Sequence, residues 1–411
     1  MALPRSLSKR HSHISQFQPL FPEERALGPL HELAAQLIGE CHALQGQAGE
    51  SIVRALSPKL HAMNSYYTNM INGQPAKSAE IEHAIRKDFN ADAALARKQR
   101  ATIAHLEVEQ QLERDLANTA PGNVFSPLLV CKIHRMLYSK LPEADRITDE
   151  GKTIVPGEYR KSVVEIRLHA APRWDDIEGL MEAWAERYPK LAGTEALLIG
   201  AACSHHRLAW IHPFIDGNGR VARLHTHLIL HAMGLTQGLW SPMRGLARTQ
   251  EQYYVRLNNA DLPRRNDLDG RGSLSQEELV AFASYFLGVC LDQVRFMRGR
   301  LDLASLRDRL KSLLLHLQER PWAIGGEKSV VKIDALEALH YVAMAGPIER
   351  SRFVAMTGLG ERIGRRVLGS LLDFGLLTEE SSRSPVAFAV PLASLRFLFP
   401  NLWPEAEVNS N

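Results

Sequence analysis

Apolar positions recur along most of this chain at helical rather than strand spacing. From about Leu27 to Leu116 they follow a period near 3.6, broken at Asn72-Gly73-Gln74-Pro75, and such recurrence predicts amphipathic helices. At the break, Gly73 suits a left-handed helix cap and Pro75 a stop. Residues 125–141 predict another helix. A polar stretch follows, with Gly157-Glu158-Tyr159-Arg160 and then Ser162-Val163-Val164-Glu165-Ile166. The β-branched run makes this the place for a short hairpin. The alanine- and leucine-rich run Thr194–Trp210 reads as a helix. Pro213 keeps His212 out of the α region, so that helix ends just before the histidine. Apolar periodicity resumes with Val221, Leu224, Leu228 and Ile229, placing the start of a second helix at Arg220. Further helices are expected over Leu301–Leu317, around Leu336–Met344 and Ser351–Thr357, and over Glu361–Phe374. A polar turn, Ser381–Pro385, then separates two β-like segments.

The fold class is therefore mainly α, with little strand. The pattern divides into a flexible tail (1–26), an N-terminal helical region (27–120), a core (121–300), a connecting helix and linker ending at Gly325-Gly326 (301–325), and a C-terminal domain (326–403). A length of 411 residues fits two or three domains. The net charge of +3 is too small to imply nucleic-acid binding by itself. The four cysteines are scattered without a CxxC pair, which fits a reducing compartment and neither a disulfide framework nor a zinc site. No apolar run is read as membrane-spanning. The basic start, through His13, lacks an apolar segment behind it, so a cytoplasmic location is expected, with a transit peptide as the alternative.

Chemistry concentrates in His212-Pro213-Phe214-Ile215-Asp216-Gly217-Asn218-Gly219-Arg220, extended by Arg223. Gly217 and Gly219 permit unusual dihedrals and close approach of a ligand to the backbone. A helix start beside such a turn is an anion site. Arg220 and Arg223 lie three apart on one helical face, where guanidinium forks suit phosphate oxygens. Asp216 could hold a divalent cation bridging phosphates. His212 titrates near neutrality and could take a proton from an attacking hydroxyl. The bland alternative is a loop that merely joins two helices.

This stretch resembles the signature loop of the Fic (filamentation induced by cAMP) family, H-P-F-x-[D/E]-G-N-G-R-x-x-R, at every specified position. The resemblance implies a Fic-type helical core and a protein adenylyltransferase, which moves AMP from ATP–Mg²⁺ to a Ser, Thr or Tyr hydroxyl of a target protein or of itself. It implies His212 as general base, Phe214 as the loop's anchor and Asp216 as the Mg²⁺ ligand. Gly217, Asn218, Gly219 and Arg220 would cradle the phosphates, and Arg223 would meet the γ-phosphate. Tyr159, Arg160, Val163 and Val164 match a flap that pairs with the target's backbone; from the residues alone this is a surface hairpin. Tyr253 and Tyr254 match the helix lining the nucleobase pocket; as bare sequence they read as core and rim. Thr68, Asn72 and Gly73 align with an inhibitory motif, [S/T]-x-x-x-E-[G/N]. Here an uncharged amide stands where the family has a glutamate, so weak restraint of Arg223 is expected. The same loop also serves AMP removal and other donors in relatives.

The C-terminal series of helices and β-like segments resembles a winged helix-turn-helix. Arg362, Arg365 and Arg366 on its third helix could meet DNA phosphates, but such modules also serve dimerisation and docking. The contrasting functional reading is a nucleotide-sensing or self-modified regulator that binds DNA or a partner through this domain. Asp267-Leu-Asp-Gly-Arg-Gly-Ser-Leu274 only begins like an EF-hand. Arg271 stands where an oxygen ligand is needed, and Ser275 with Glu278 reads better as a capping box for the next helix. Gly358-Leu-Gly360 lacks the spacing of a dinucleotide fingerprint. Of His205, His206, His212, His225 and His227, only His212 has a defined partner set. There is no Walker A pattern, nucleophile elbow or HExxH.

Overall fold

The computed structural model describes residues 17–73, 81, 88–166, 169–324 and 327–404. Among these the helices are α1 (Gly28–Gln47), α2 (Glu50–Ile71), α3 (Ala93–Leu116), α4 (Pro121–Val124), α5 (Pro127–Ser139), α6 (Ile177–Arg187), α7 (Thr194–Ile211), α8 (Asn218–Ala232), α9 (Met243–Arg248), α10 (Gln250–Asn259), α11 (Gln276–Arg300), α12 (Leu306–Glu319), α13 (Leu336–Ala345), α14 (Arg350–Met356), α15 (Glu361–Phe374) and α16 (Leu392–Leu398). Among the described residues strands occur as three antiparallel pairs: β1–β2 (Glu165–Ile166 with His169–Ala170), β3–β4 (Ala323–Ile324 with Glu327–Lys328) and β5–β6 (Leu377–Thr378 with Ala387–Phe388). The mainly helical class holds. The expected strand Ser162–Ile166 shrinks to its last two residues, with Glu165 opposite Ala170 and Ile166 opposite His169.

The chain forms two compact units. The first comprises residues 1–41, 64–236 and 241–293, and the second residues 42–63, 237–240 and 294–411. These cut across the segments expected from the sequence, because the end of α2, carrying Thr68, Asn72 and Gly73, groups with the core. In the first unit α7 and α8 pack against each other, with α3 and α5 on α8 and α6 on α7. Leu198, Ile199, Ala201 and Ala202 of α7 and Leu224, Leu228 and Ile229 of α8 are fully buried, each larger side chain contributing roughly 1.5–3 kcal/mol. Asp92 caps α3 by accepting from the N–H groups of Ala94 (2.8 Å) and Leu95 (3.0 Å).

One boundary near the site falls as expected and one differs. α7 ends at Ile211, with His212 left-handed (φ 49°, ψ 60°) and so outside the right-handed helical region. Its N–H still reaches the Leu208 carbonyl at 3.2 Å, which this conformation permits. α8 starts two residues early, at Asn218, because Gly217 is also left-handed (φ 82°) and its carbonyl takes the Val221 N–H at 3.0 Å.

The loop that began like an EF-hand is a helix cap. Asp269 accepts from the Glu277 N–H (2.8 Å), the Ser275 hydroxyl (3.0 Å) and the Arg265 N–H (3.0 Å). Ser275 in turn accepts from the Glu278 N–H at 3.2 Å. α11 corrects one sequence expectation, since by length and composition it is apolar enough to cross a membrane. Its Leu279, Phe282, Ala283, Phe286 and Leu287 are fully buried within the protein, which is equally the signature of a core helix.

In the second unit α13, α14, α15 and the β5–β6 hairpin follow in order, and an isolated antiparallel bridge joins Ile348 to Val386. Three helices thus precede the hairpin in this segment. Val367, Leu368 and Leu371 of α15 face its core, whereas Arg362, Ile363, Arg365 and Arg366 are exposed.

Candidate active site

The left-handed turn after α7 carries His212 to the wall of a cavity of about 900 Å³, where it meets Asp216, Gly217, Gly219, Arg220 and Arg223. The loop is fastened from within. Phe214 is fully buried; its N–H donates to Asn218 Oδ1 (2.9 Å) and its carbonyl accepts from Asn218 Nδ2 (2.8 Å). Asn218 therefore shapes the loop with its side chain. Gly217 is required twice over, by its positive φ and because a Cβ there would lie 2.6 Å from the Tyr138 hydroxyl. A Cβ at Gly219 would lie 3.1 Å from an Arg223 nitrogen.

Two side chains that the sequence reading passed over, His134 and Tyr138 on α5, support the loop. The His134 ring stacks on Phe214, with centroids 3.9 Å apart and an interplanar angle of 5°. Its Nδ1 accepts from the Gly157 N–H (2.8 Å), which puts the ring proton on Nε2, 3.3 Å from the Asp216 carbonyl. Burial, assisted by the Arg220 charge, lowers its pKa to about 4, so the ring is neutral. The Tyr138 hydroxyl donates to Asp216 Oδ2 at 2.7 Å and accepts from Arg220 at 2.6 Å, and Arg220 also lies 3.3 Å from Asp216 Oδ2. Burial would raise the Asp216 pKa; the Arg220 charge and the Tyr138 and Gly217 hydrogen bonds outweigh it and hold the carboxylate ionised. The one clue in sequence was a His and a Tyr four residues apart on an otherwise apolar helical face.

Arg223 is 2% exposed. Its Nε donates to Thr68 Oγ1 (2.8 Å), and one terminal nitrogen donates to the Thr68 carbonyl (3.1 Å) and to Asn72 Oδ1 (2.8 Å). α2 ends just before Asn72, and Gly73 is left-handed (φ 72°). The segment singled out in sequence thus does meet the second arginine. The amide supplies a neutral acceptor to a charged donor.

Tyr253 and Tyr254 both line the cavity, in different ways. Thr226 donates its hydroxyl proton to the Ala222 carbonyl (2.8 Å), so it accepts from His205 Nδ1–H (2.8 Å). The bare His205 Nε2 then accepts from the Tyr253 hydroxyl at 2.7 Å. Burial, then the Arg223 charge, pushes the His205 pKa down to about 3. His205 is a neutral core histidine that aims Tyr253, which is itself 2% exposed. Tyr254 is 37% exposed, and its hydroxyl, like the Gln250 amide, donates to the Ile71 carbonyl.

The expected flap separates into two roles. Val163 is 65% exposed and Tyr159 is half-buried, its ring 5.8 Å from that of Phe214. Arg160 is only 4% exposed and points inward. Its guanidinium donates to the carbonyls of His212 (2.9 Å), Ser162 (3.0 Å) and Pro172 (2.6 Å), and its N–H donates to the Pro213 carbonyl (2.8 Å). Arg160 ties the hairpin to the loop and leaves outward contacts to its neighbours.

Residues 124–230 match the model of the Fic/DOC family. The protein adenylyltransferase Fic of Nematostella vectensis is 32% identical over 120 residues, which is 28% of this chain and 26% of the relative. That of Drosophila grimshawi is 31% identical over 135 residues, 32% of this chain and 27% of the relative. The chain thus spans about a quarter of the length of these curated relatives. Among solved structures, a Fic family protein from Desulfovibrio desulfuricans G20 superposes with a TM-score of 0.50 and 18% identity, covering 91% of this chain and 99% of that one. A Fic domain containing signaling protein from Bacteroides thetaiotaomicron gives the same TM-score and identity over 64% and 95%. At that identity the two structures speak for a shared fold.

Proposed function

Residues 124–230 are a Fic/DOC domain, and from that premise we propose that this protein transfers AMP from ATP to a hydroxyl side chain of a protein. The observation that carries the reading is the grouping of His212, the Gly217–Arg220 helix start and Arg223 on one cavity wall. The cavity volume, about 900 Å³, is within the range that accepts a nucleotide. The N–H groups at the start of α8 and the two guanidiniums favour phosphates. Tyr254 offers an aromatic face to the base.

In the reaction, His212 takes the proton of the target hydroxyl and the freed oxygen forms a bond to the α-phosphorus. The bond from the α-phosphorus to the bridging oxygen breaks, and pyrophosphate leaves with the bonding electrons. The helix start and Arg220 stabilise the charge that gathers on the phosphates. Asp216 fits Mg²⁺ as the single protein carboxylate that such an ion takes beside phosphate oxygens. When bound, the ion would neutralise phosphate charge. The outer edge of β1 and the exposed Val163 suit a target segment added as a strand. A cytoplasmic setting accords with four cysteines that form no disulfide.

The test is incubation with Mg²⁺ and ATP labelled at the α-phosphate, with and without lysate. Labelled protein should fall roughly 10²–10⁴-fold in His212→Ala; transfer near the wild-type rate would reject the assignment. A second reading draws on the exposed arginines of α15: a regulator that binds DNA through the C-terminal unit. Sequence-specific DNA binding together with no AMP transfer would favour it.

A further inference from the structure

α3 and α8 pack together away from the cavity wall, and both carry ligand-type side chains one helical turn apart: His105, Glu109 and Glu113 on α3, and His227 and His231 on α8. His227 Nε2 lies 2.7 Å from Glu113 Oε1 and 3.5 Å from Glu109 Oε1. His231 Nδ1 lies 3.8 Å from Glu113 Oε1, and the two glutamates offer oxygens within 4.8 Å of each other. His105 Nδ1 stands 3.4 Å from the other oxygen of Glu109. Glu109 is fully buried, His227 is 2% exposed and Glu113 is 9% exposed.

We propose that Glu109, Glu113, His227 and His231 form a binding site for one divalent transition-metal ion of the zinc class, which joins α3 to α8. Carboxylate oxygens and imidazole nitrogens together are a ligand set that suits zinc-class ions. A divalent ion neutralises both carboxylates and accepts both imidazoles. In a tetrahedral zinc site with bonds of about 2.0–2.2 Å, neighbouring ligand atoms stand about 3.4 Å apart. The separations of 3.5 and 3.8 Å stand near that value, and the 2.7 Å between His227 Nε2 and Glu113 Oε1 is a hydrogen bond that an entering ion would open. The mixed nitrogen and oxygen set selects against Mg²⁺ and Ca²⁺, which prefer oxygen alone, and leaves Mn²⁺ and Fe²⁺ as the competitors.

The carboxylate is also held from behind. Asn64 Nδ2 donates to Glu109 Oε1 at 2.6 Å, and the Ser241 hydroxyl donates to Asn64 Oδ1. Metal-binding carboxylates characteristically have such outer partners. None of the four ligands lines the nucleotide cavity, so this site stands or falls apart from AMP transfer.

The experiment strips the full-length protein with a chelator, adds Zn²⁺, removes excess by gel filtration and measures zinc per chain. We expect about one equivalent, a higher thermal midpoint than the stripped protein, and loss of that equivalent in His227→Gln and in Glu113→Gln. Asp216→Asn should keep it. Zinc below about 0.1 equivalent in the wild type, or an equivalent that persists in both variants, would overturn the proposal. Should either variant fail to fold, anomalous scattering at the zinc edge from wild-type crystals decides. A peak between Glu109, Glu113 and His227 supports the site, and a zinc-soaked crystal without one refutes it.

Discussion

Replacing Asn72 by aspartate changes almost nothing but charge, which makes it the sharpest probe of how Arg223 is restrained. The amide oxygen accepts from the guanidinium at 2.8 Å, beside two further bonds from Arg223 to Thr68. In Asn72→Asp a carboxylate of the same length takes that place, and the neutral acceptor becomes an ion pair. At this distance and an effective dielectric near 20 the raw attraction is about 4 kcal/mol or more. Asn72 is exposed, so water and salt reduce this to about 1 kcal/mol. A triphosphate must displace that pair before Arg223 can turn to it. The expected result is a roughly 5-fold loss of AMP transfer at fixed subsaturating ATP, milder at high salt. Asn72→Glu should act in the same direction, with its longer side chain accommodated by the open face of Gly219, where a Cβ would stand 3.4 Å from Asn72 Oδ1. Asn72→Ala should transfer at the wild-type rate or faster. Initial rates with α-labelled ATP at several ATP concentrations give the readout. Rates within twofold of wild type for both acidic variants would refute the reasoning.

Two other outcomes follow from the supports of the loop. His134 has an ordinary pKa of 6.5 that burial lowers to about 4 in the folded protein. Its contribution of about 3 kcal/mol is therefore complete above pH 6.5 and is lost as pH falls from 6.5 towards 4, because the unfolded chain binds the proton first. Denaturant titrations across that range should show the decline, and His134→Gln should flatten it; an unchanged slope would contradict the assignment. Arg160→Met should lower stability by about 2–4 kcal/mol, since three carbonyls lose a charged donor. It should also depress AMP transfer through loss of the His212 backbone position. A thermal midpoint equal to wild type would remove Arg160 from the scaffold.

The sequence spoke clearly where local chemistry decides the outcome. Helical periodicity located α7, α8 and α15 to within a few residues. The glycine pair and the His–Asp–Arg spacing marked the loop, because those residue types stand close together in the chain. The alignment of Thr68 and Asn72 with a restraining motif found the right partner, Arg223, although α2 and α8 lie far apart in sequence. His134, Tyr138 and His205 were illegible for the converse reason. Their roles rest on which way a buried ring faces once distant helices pack, and a His-x-x-x-Tyr pair on a helix reads the same whether it supports a loop or simply fills a core. Arg160 shows the same limit. Its match to a flap motif spoke for outward binding, whereas three carbonyls brought together by folding turn it inward. Burial of α11 likewise emerges only from packing, since composition alone leaves a membrane-crossing segment and a core helix indistinguishable.

The reciprocal amide bonds between Phe214 and Asn218, with the His212 carbonyl held by Arg160, bear on the heat of nucleotide binding. A loop that had to be organised by its ligand would show a large unfavourable entropy and a strongly negative heat-capacity change. This one is already organised, so ordering of its backbone adds little to that penalty, and the protein's own share is the release of Arg223 from Thr68 and Asn72. Calorimetric differences between nucleotides with and without a terminal phosphate should then report that release together with the ligand's flexibility and charge.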